Sequence, residues 1–151
     1  MQTLKKIKVS GNQTCAYNKL ERIDVGDIEG HMVSFMISEG VNVSTGHVKF
    51  FNGAQIVSVI TSDIVYFNGL FQGYTKFTNK GDSLFSKFEG KIKNTHSVEG
   101  NYVQSMEGTV SFIKGTGQYE NIRGNGTFKG RYLSKIIYVN EWEAEYWIER
   151  N

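Results

Sequence analysis

Turn signals follow one another at short intervals along this chain, and they limit how it can fold. Asn-Gly and related pairs supply consecutive residues that tolerate positive φ, which a tight hairpin turn requires. The runs between the turns are rich in Val, Ile, Phe, Tyr and Thr, as strands prefer, and helical spacing is almost absent. This pattern is typical of an all-β sandwich or barrel. The predicted turns are Gly11-Asn12, Gly26-Asp27, Asn52-Gly53, Asn68-Gly69, Asn79-Lys80-Gly81-Asp82, Glu99-Gly100-Asn101 and Asn125-Gly126.

Within several runs, apolar and polar residues alternate with a period of two. The run from Leu84 to Ile92 places Phe88 on one face and lysines 87 and 91 on the other. One buried and one wet face indicate an antiparallel sheet. We therefore predict a closed antiparallel β-barrel of about eight strands. The predicted strands are Thr3–Val9, Val25–Ser38, His47–Phe51, Ala54–Ser62, Ile64–Phe67, Phe71–Thr78, Leu84–Ile92, Tyr102–Ile113, Thr127–Tyr132 and Ile136–Ile148.

Two of these runs, Gln55–Ile60 and Ile64–Phe67, are apolar on both faces. A barrel wall has only one interior, so the outward residues need another partner: a second subunit, a loop or the N-terminal strand. Exposed apolar surface of this kind usually marks an interface. We expect a homo-oligomer, a trimer or a dimer.

Composition sets further bounds on the chain. Its 151 residues predict one domain, 1–151, and the net charge of +2 comes from interspersed residues, which does not favour a nucleic-acid partner. The single cysteine, Cys15, excludes an intramolecular disulfide and fits a reducing compartment. No apolar run has the length of a leader or a membrane span, so we expect a cytoplasmic protein without a membrane partner.

The most distinctive segment runs from Lys114 to Gly130. Its Gly115-Thr-Gly117 is not a dinucleotide loop, because Glu120 stands where the third glycine belongs and no helix follows. We predict instead a strand end, a sharp turn and a short helical turn from which Tyr119 and Ile122 point into the core. A second strand then follows.

This segment resembles the allene oxide cyclase-like and dirigent-like barrels. Gly115-Thr-Gly-Gln-Tyr119-Glu-Asn-Ile122-Arg-Gly124 is similar to their Gly-Thr-Gly-x-aromatic-x-x-hydrophobic-x-Gly signature, and bacterial proteins of unassigned function share its continuation, here Gly124-Asn-Gly-Thr-Phe128. The resemblance covers about the C-terminal quarter of the chain. It implies an eight-stranded, calycin-like antiparallel barrel, often trimeric, with an apolar cavity. Where members are enzymes, it implies cyclisation or coupling of apolar intermediates, largely by shaping them.

The predicted interior aromatics are the candidate ligand-binding residues. They could line a pocket for one small molecule or fill the barrel as core. These residues are Tyr66, Phe88, Phe128, Tyr138, Trp142 and Tyr146. Glu107 is the candidate catalytic residue, because a carboxylate in an apolar cavity has a raised pKa and can act as an acid or base. Its alternation with Met106 also allows an outward, solvated position.

Two hypotheses for function follow. The first is a barrel whose cavity binds a hydrophobic small molecule, with isomerase or cyclase activity as an option. The second is a non-catalytic structural or interaction barrel with a filled core, whose function lies in the doubly apolar strands. We expect no metal, because His31, His47 and His96 lie far apart without ligand spacing, and we expect no cofactor.

Overall fold

The computed structural model describes residues 4–96 and 102–150, which form eight strands and one 3₁₀ turn. Each strand pairs antiparallel with the next, and β8 pairs back with β1, so the sheet closes. This confirms the predicted barrel of about eight antiparallel strands. The strands are β1 (Ile7–Asp24), β2 (His31–Thr45), β3 (Ala54–Val65), β4 (Asn68–Asn79), β5 (Asp82–His96), β6 (Tyr102–Gly115), β7 (Ile122–Tyr132) and β8 (Ile137–Ile148).

Successive side chains of each strand point alternately to the inside and the outside of the barrel wall. In β5, Leu84 and Ser86 are buried inside while Lys87, Glu89 and Lys91 are exposed outside. In β8, Tyr138, Trp142 and Tyr146 face inward as predicted, and Glu141 and Glu143 face solvent. The alternation in these two strands therefore assigns the barrel's inner face correctly.

Most interior glycines lie under aromatic rings and not in turns. Phe71 of β4 faces Gly90 of β5, and Phe88 of β5 faces Gly73 of β4. A Cβ added at Gly73 would lie 2.7 Å from the tip of the Phe88 ring, and one at Gly90 would lie 2.8 Å from the tip of Phe71. Gly108 and Phe128 form the same pair between β6 and β7. The absent side chains give the rings room to lie against the neighbouring strand, and they also avoid collisions with backbone oxygens of the adjacent strand.

This arrangement corrects two predicted turns. Gly11-Asn12 lies inside β1, where Gly11 faces Trp142, and a Cβ at Gly11 would be 2.7 Å from the indole nitrogen. Asn125-Gly126 lies inside β7, where Gly126 packs against Ala144 of β8. β1 therefore continues to Asp24, well past the predicted end at Val9.

A third predicted turn is displaced by two residues. The β3–β4 turn uses Tyr66 and Phe67, which have φ of 50° and 66°, and not Asn68-Gly69. Gly69 lies in β4, at a position where any Cβ would collide with the backbone oxygen of Asp63. The strand predicted over Ile64–Phe67 is therefore wrong for its last two residues, and Ala54–Val65 is one continuous strand. The turn predicted at Glu99-Gly100-Asn101 lies outside the described residues.

The segment predicted as the strand His47–Phe51 is a loop that closes one end of the barrel. Phe51 has a φ of 50°, which places two consecutive rings, Phe50 and Phe51, inside the barrel. Tyr119, from the 3₁₀ turn Gly117–Tyr119, packs edge-on against Phe50 with ring centroids 5.5 Å apart. Ile122 is fully buried but belongs to β7, so only the partly buried Tyr119 points inward from the short helical turn. We call this end the plugged end.

The outer wall of β2, β3 and β4 carries an apolar surface that includes Val57 and Val59 from the doubly apolar run Gln55–Ile60. Ile37, Val59 and Tyr74 follow one another across the three strands. Val59 and Tyr74 are about half exposed, at 42% and 52%. We call this surface the apolar outer face, defined by Phe35, Ile37, Val41, Val57, Val59, Leu70 and Tyr74. No helix among the described residues has the length and apolar character needed to cross a membrane.

Candidate functional site

A cavity of about 60 Å³ lies inside the barrel, between the plug and the opposite end. Every strand contributes to its wall, and no charged side chain does. Its lining is Gln13, Tyr17, Met36, Ser58, Ile60, Phe71, Thr75, Phe77, Ser86, Phe88, Ile92, Met106, Val110, Phe112, Phe128, Tyr132, Tyr138, Asn140 and Trp142. A volume of this size has room for ordered water. Most of the barrel interior is therefore filled by side chains.

Three tyrosines of this lining form a polar cluster toward the end opposite the plug. The hydroxyl oxygens of Tyr17 and Tyr132 lie 2.6 Å apart, and that of Tyr138 lies 2.6 Å from the Ser38 hydroxyl. The three rings also pack together, with centroids 5.3 to 6.2 Å apart. Because β7 ends at Tyr132 and β8 begins at Ile137, the β7–β8 turn brings two of these rings together. We call this end the tyrosine end.

Burial keeps the ionisable groups of this cluster neutral. Loss of hydration raises the pKa of Tyr17, Tyr132 and Tyr138 above the ordinary tyrosine value, and the neighbouring Tyr132 raises that of Tyr17 further. Burial also raises the pKa of the Cys15 thiol to about 11, although a hydrogen bond with Tyr138 opposes the shift. None of these four groups is ionised at neutral pH, so the cluster can exchange hydrogen bonds but offers no anionic base.

One amide oxygen at the tyrosine end is buried without a partner. Among the described residues, no group donates to Oδ1 of Asn140. This oxygen lies over Gly130, and a Cβ added there would collide with it. Gly130 pairs with the buried Met106, so the oxygen lies on the inner side of the wall. Ser62 has the other unpartnered buried oxygen in the described chain, and it is not part of the cavity lining.

At the plugged end, by contrast, buried polar groups pair within the protein. Asn42 is fully buried, accepts a hydrogen bond from Nε1 of Trp142 at 2.8 Å and donates to the Phe51 carbonyl at 3.0 Å. The hydroxyl of Ser44 donates to the Phe50 carbonyl and accepts from the Phe50 amide, both at 2.9 Å. These bonds hold the two inserted rings in place.

The structure separates the residues predicted as ligand-binding. Phe88, Phe128, Tyr138 and Trp142 line the cavity. Tyr146 is buried but packs on Phe50 of the plug, with ring centroids 4.9 Å apart. These five positions agree with an inward orientation, and a binding role stays a prediction.

Tyr66 and Glu107 are corrections to the predicted site. Tyr66 lies in the β3–β4 turn, 54% exposed, because Asn68 and Gly69 are taken into β4 and leave the turn to it. Glu107 lies on the outer wall between Lys91 and Lys93, with N–O distances of 3.4 and 3.5 Å. Its hydrogen bond with Lys91 and the charge of Lys93 hold its pKa below the ordinary value. It has no access to the cavity and no raised pKa, so it is not an acid of this site.

Seven polar lining residues were not predicted as site residues from the sequence: Gln13, Tyr17, Ser58, Thr75, Ser86, Tyr132 and Asn140. Gln13 and Tyr17 were missed because β1 was expected to end at Val9. Tyr132 shares its face with Phe128 in a predicted strand, and Asn140 shares its face with Tyr138 and Trp142. A period-two reading of β7 and β8 could therefore have found these two.

A second polar cluster lies on the rim of the tyrosine end, outside the cavity. Nδ1 and Nε2 of His31 lie 2.6 Å from carboxylate oxygens of Asp27 and Asp63 respectively. The hydrogen bond to Asp27, followed by that to Asp63, raises the pKa of His31. No group of three or more His, Cys, Asp or Glu in the described chain is arranged to hold a metal ion.

Comparisons with known proteins identify a fold relationship. No protein-family model and no curated protein matches the chain. The solved structure of the pterocarpan synthase dirigent protein PsPTS1 is similar over 100% of both chains, with 12% identity and a TM-score of 0.51. That of GePTS1, also a pterocarpan synthase dirigent protein, covers 99% of this chain and 94% of its own, with 11% identity and a TM-score of 0.50. In its fold, the chain is a dirigent-like β-barrel.

Proposed function

We propose that this barrel binds a small, uncharged, largely apolar molecule in its interior cavity. The observation that carries the proposal is the composition of the lining: eight strands enclose a space with apolar and neutral polar side chains and no charge. Binding sites for small molecules are typically concave and mostly apolar, with a few polar groups that fix orientation. A carboxylate or phosphate ligand would find no cation in this wall.

The size of the cavity sets the size of the molecule. Without rearrangement, a cavity of about 60 Å³ holds roughly one or two water molecules. A larger molecule would require lining side chains to move. Met36 and Met106 are the adaptable residues of the wall, because an unbranched thioether changes rotamer easily.

Any chemistry in this cavity would act through shape. The tyrosines and Cys15 have raised pKa values, and Glu107 lies outside, so the proposed site has no ionised acid or base pair. The solved neighbours are described as pterocarpan synthases. For this chain, an isomerase or cyclase activity would have to come from holding an intermediate in one conformation.

The test uses methionine methyl groups as reporters. With ¹³C-methyl methionine, furan should shift the signals of Met36 and Met106, which line the cavity, and leave exposed Met32 unchanged. Val110→Phe fills the cavity and should abolish both shifts, while Val59→Phe on the outer wall should not. Native mass spectrometry of freshly purified protein would reveal a retained molecule. Unshifted Met36 and Met106 at saturating furan would refute the proposal.

A second role is favoured by the apolar outer face, which we propose as the contact between two copies of this chain. Glu39, Val57 and Lys76 lie in one row across it, so opposite charges flank an apolar centre. Two copies related by a two-fold axis would bring each Glu39 toward the other copy's Lys76. Light scattering should give a dimer for the native chain and a monomer for Val59→Glu. Thr109→Glu, on the far outer wall, is the control, and a monomeric native chain would exclude this role.

A further inference from the structure

The unpartnered oxygen of Asn140 is unusual for this interior. Around the plug, Asn42 and Ser44 satisfy their polar groups within the protein. At the tyrosine end, the hydroxyls of Tyr17, Tyr132 and Tyr138 have partners as well. A buried acceptor without a partner costs about 1–3 kcal/mol. Asn140 therefore carries a cost that its neighbours avoid.

The glycine beneath this oxygen strengthens the point. Gly73, Gly90 and Gly108 each leave room for an aromatic ring. Gly130 instead leaves room for the amide of Asn140, so the wall accommodates a polar group where the pattern elsewhere accommodates a phenyl ring. Asn140 is part of the cavity lining, and its oxygen is turned against Gly130 with almost no accessible surface, so a ligand reaches this oxygen when the amide turns into the cavity.

We propose that Asn140 is the polar anchor of the cavity and that its oxygen accepts a hydrogen bond from an N–H or O–H group of a neutral ligand. The inference rests on the proposed function, which it narrows from an apolar molecule to an apolar molecule with one donor. A charged ammonium donor does not fit, because no carboxylate lines the cavity to pair with it. The ligand class is thus a compact neutral ring or chain that carries a hydroxyl or N–H.

Pyrrole and furan form a matched probe pair for this inference. Both are small planar rings of nearly equal size, and only pyrrole has an N–H donor. In titrations followed by the Met36 and Met106 methyl signals, pyrrole should bind about three- to tenfold more tightly than furan, the effect of one net hydrogen bond. The side-chain amide signals of Asn140 should shift with pyrrole and not with furan.

Two variants connect the preference to Asn140. Asn140→Leu keeps the approximate size of the side chain and should make pyrrole and furan bind equally. Ser62→Ala removes the other unpartnered buried oxygen, which lies outside the cavity lining, and should leave the preference intact. If Asn140→Leu does not fold, the Asn140 amide shifts in the native chain provide the same test.

The outcomes separate the inference from the proposed function. Equal binding of both probes to the native chain would overturn the role of Asn140 while the binding barrel stands, because water or Gln13 then satisfies the oxygen. A pyrrole preference that survives in Asn140→Leu would also overturn it. If neither probe binds, the proposed function fails and the inference with it. Tighter pyrrole binding, lost only in Asn140→Leu, supports both.

Discussion

The two ends of the barrel interior use the same residue type in opposite ways. Asn42, at the plugged end, exchanges hydrogen bonds with Trp142 and the Phe51 carbonyl. Asn140, at the tyrosine end, leaves its oxygen without a donor among the described residues. Asn42 holds a loop inside the protein, whereas Asn140, in the role proposed above, offers its oxygen to a ligand. Burial alone therefore does not distinguish structural from functional polar groups; their partners do.

Replacing each asparagine by leucine tests this comparison with the largest expected effect. Asn42→Leu should lower the free energy of unfolding by about 2–4 kcal/mol, because it leaves the buried Trp142 N–H and Phe51 carbonyl without these hydrogen-bond partners. Asn140→Leu should leave the stability unchanged or raise it, because it removes an unpaired acceptor. Urea unfolding of both variants measures the difference. A larger loss for Asn140→Leu would reverse the assignment of the two ends.

The rings between the two ends should tolerate little change. Gly108→Ala places a Cβ 2.8 Å from the tip of Phe128 and against the backbone of β5. We expect a loss of about 1–3 kcal/mol, typical of overpacking, measured by thermal unfolding. Adding Phe128→Leu shortens the ring and should cost less than the sum of the two single changes. Strict additivity would mean that the collision with the β5 backbone alone accounts for the loss.

The rim of the tyrosine end should respond to pH. Because the folded pKa of His31 is raised above 6.5, its contribution to stability is present below that pH and is lost as the pH rises through the raised value. The pKa of Asp27 is lowered from 3.8, so its contribution is lost as the pH falls through that lowered value. The ring-proton signal of His31 should titrate above 6.5, and Asp63→Asn should lower the midpoint. A midpoint at or below 6.5 in the native chain would contradict the paired geometry.

The smallest effect is expected on the outer wall. Glu107→Gln removes the pairs with Lys91 and Lys93, which are exposed and screened by salt. Binding of pyrrole and furan should not change, because the carboxylate has no access to the cavity. Altered affinity for either probe would show that the wall transmits charge changes to the interior.

The barrel could be predicted from the sequence because burial of one face appears directly as alternation of apolar and polar residues. The alternation of Phe88 with Lys87 and Glu89 assigns an inner and an outer face without any knowledge of partners. The doubly apolar run Gln55–Ile60 likewise pointed to an exposed apolar face, and Val59 has that position. Strand pairing and closure then follow from short turns and a buried inner face.

Glycine was harder to interpret, although a signal was present. Phe71-Gln-Gly73 and Phe88-Glu-Gly90 face each other antiparallel, so each ring lies over the other strand's glycine. The motif Phe128-Lys-Gly130 recurs on β7. An aromatic residue two positions before a glycine could therefore have predicted interior packing, but the glycines were interpreted as turn signals, as at Asn125-Gly126.

The site was predicted only in part, because its polar members depend on long-range contacts. Tyr17 and Tyr132 are 115 positions apart, and their hydroxyls meet only after β1 and β7 enter the same barrel. The inward position of Phe51 depends on a positive φ that could not be predicted from the neighbouring residues. Such features require the closed topology before they can be inferred.

The reactivity of Cys15 toward a thiol reagent can report how often this barrel opens. Its thiol lies on β1, the strand that joins the last strand to the second, and both burial and its pKa of about 11 protect it from water-borne electrophiles. A thiol reagent can react only during moments when that seam parts. When the reagent reacts faster than the sheet recloses, the labelling rate therefore equals the rate at which this seam opens.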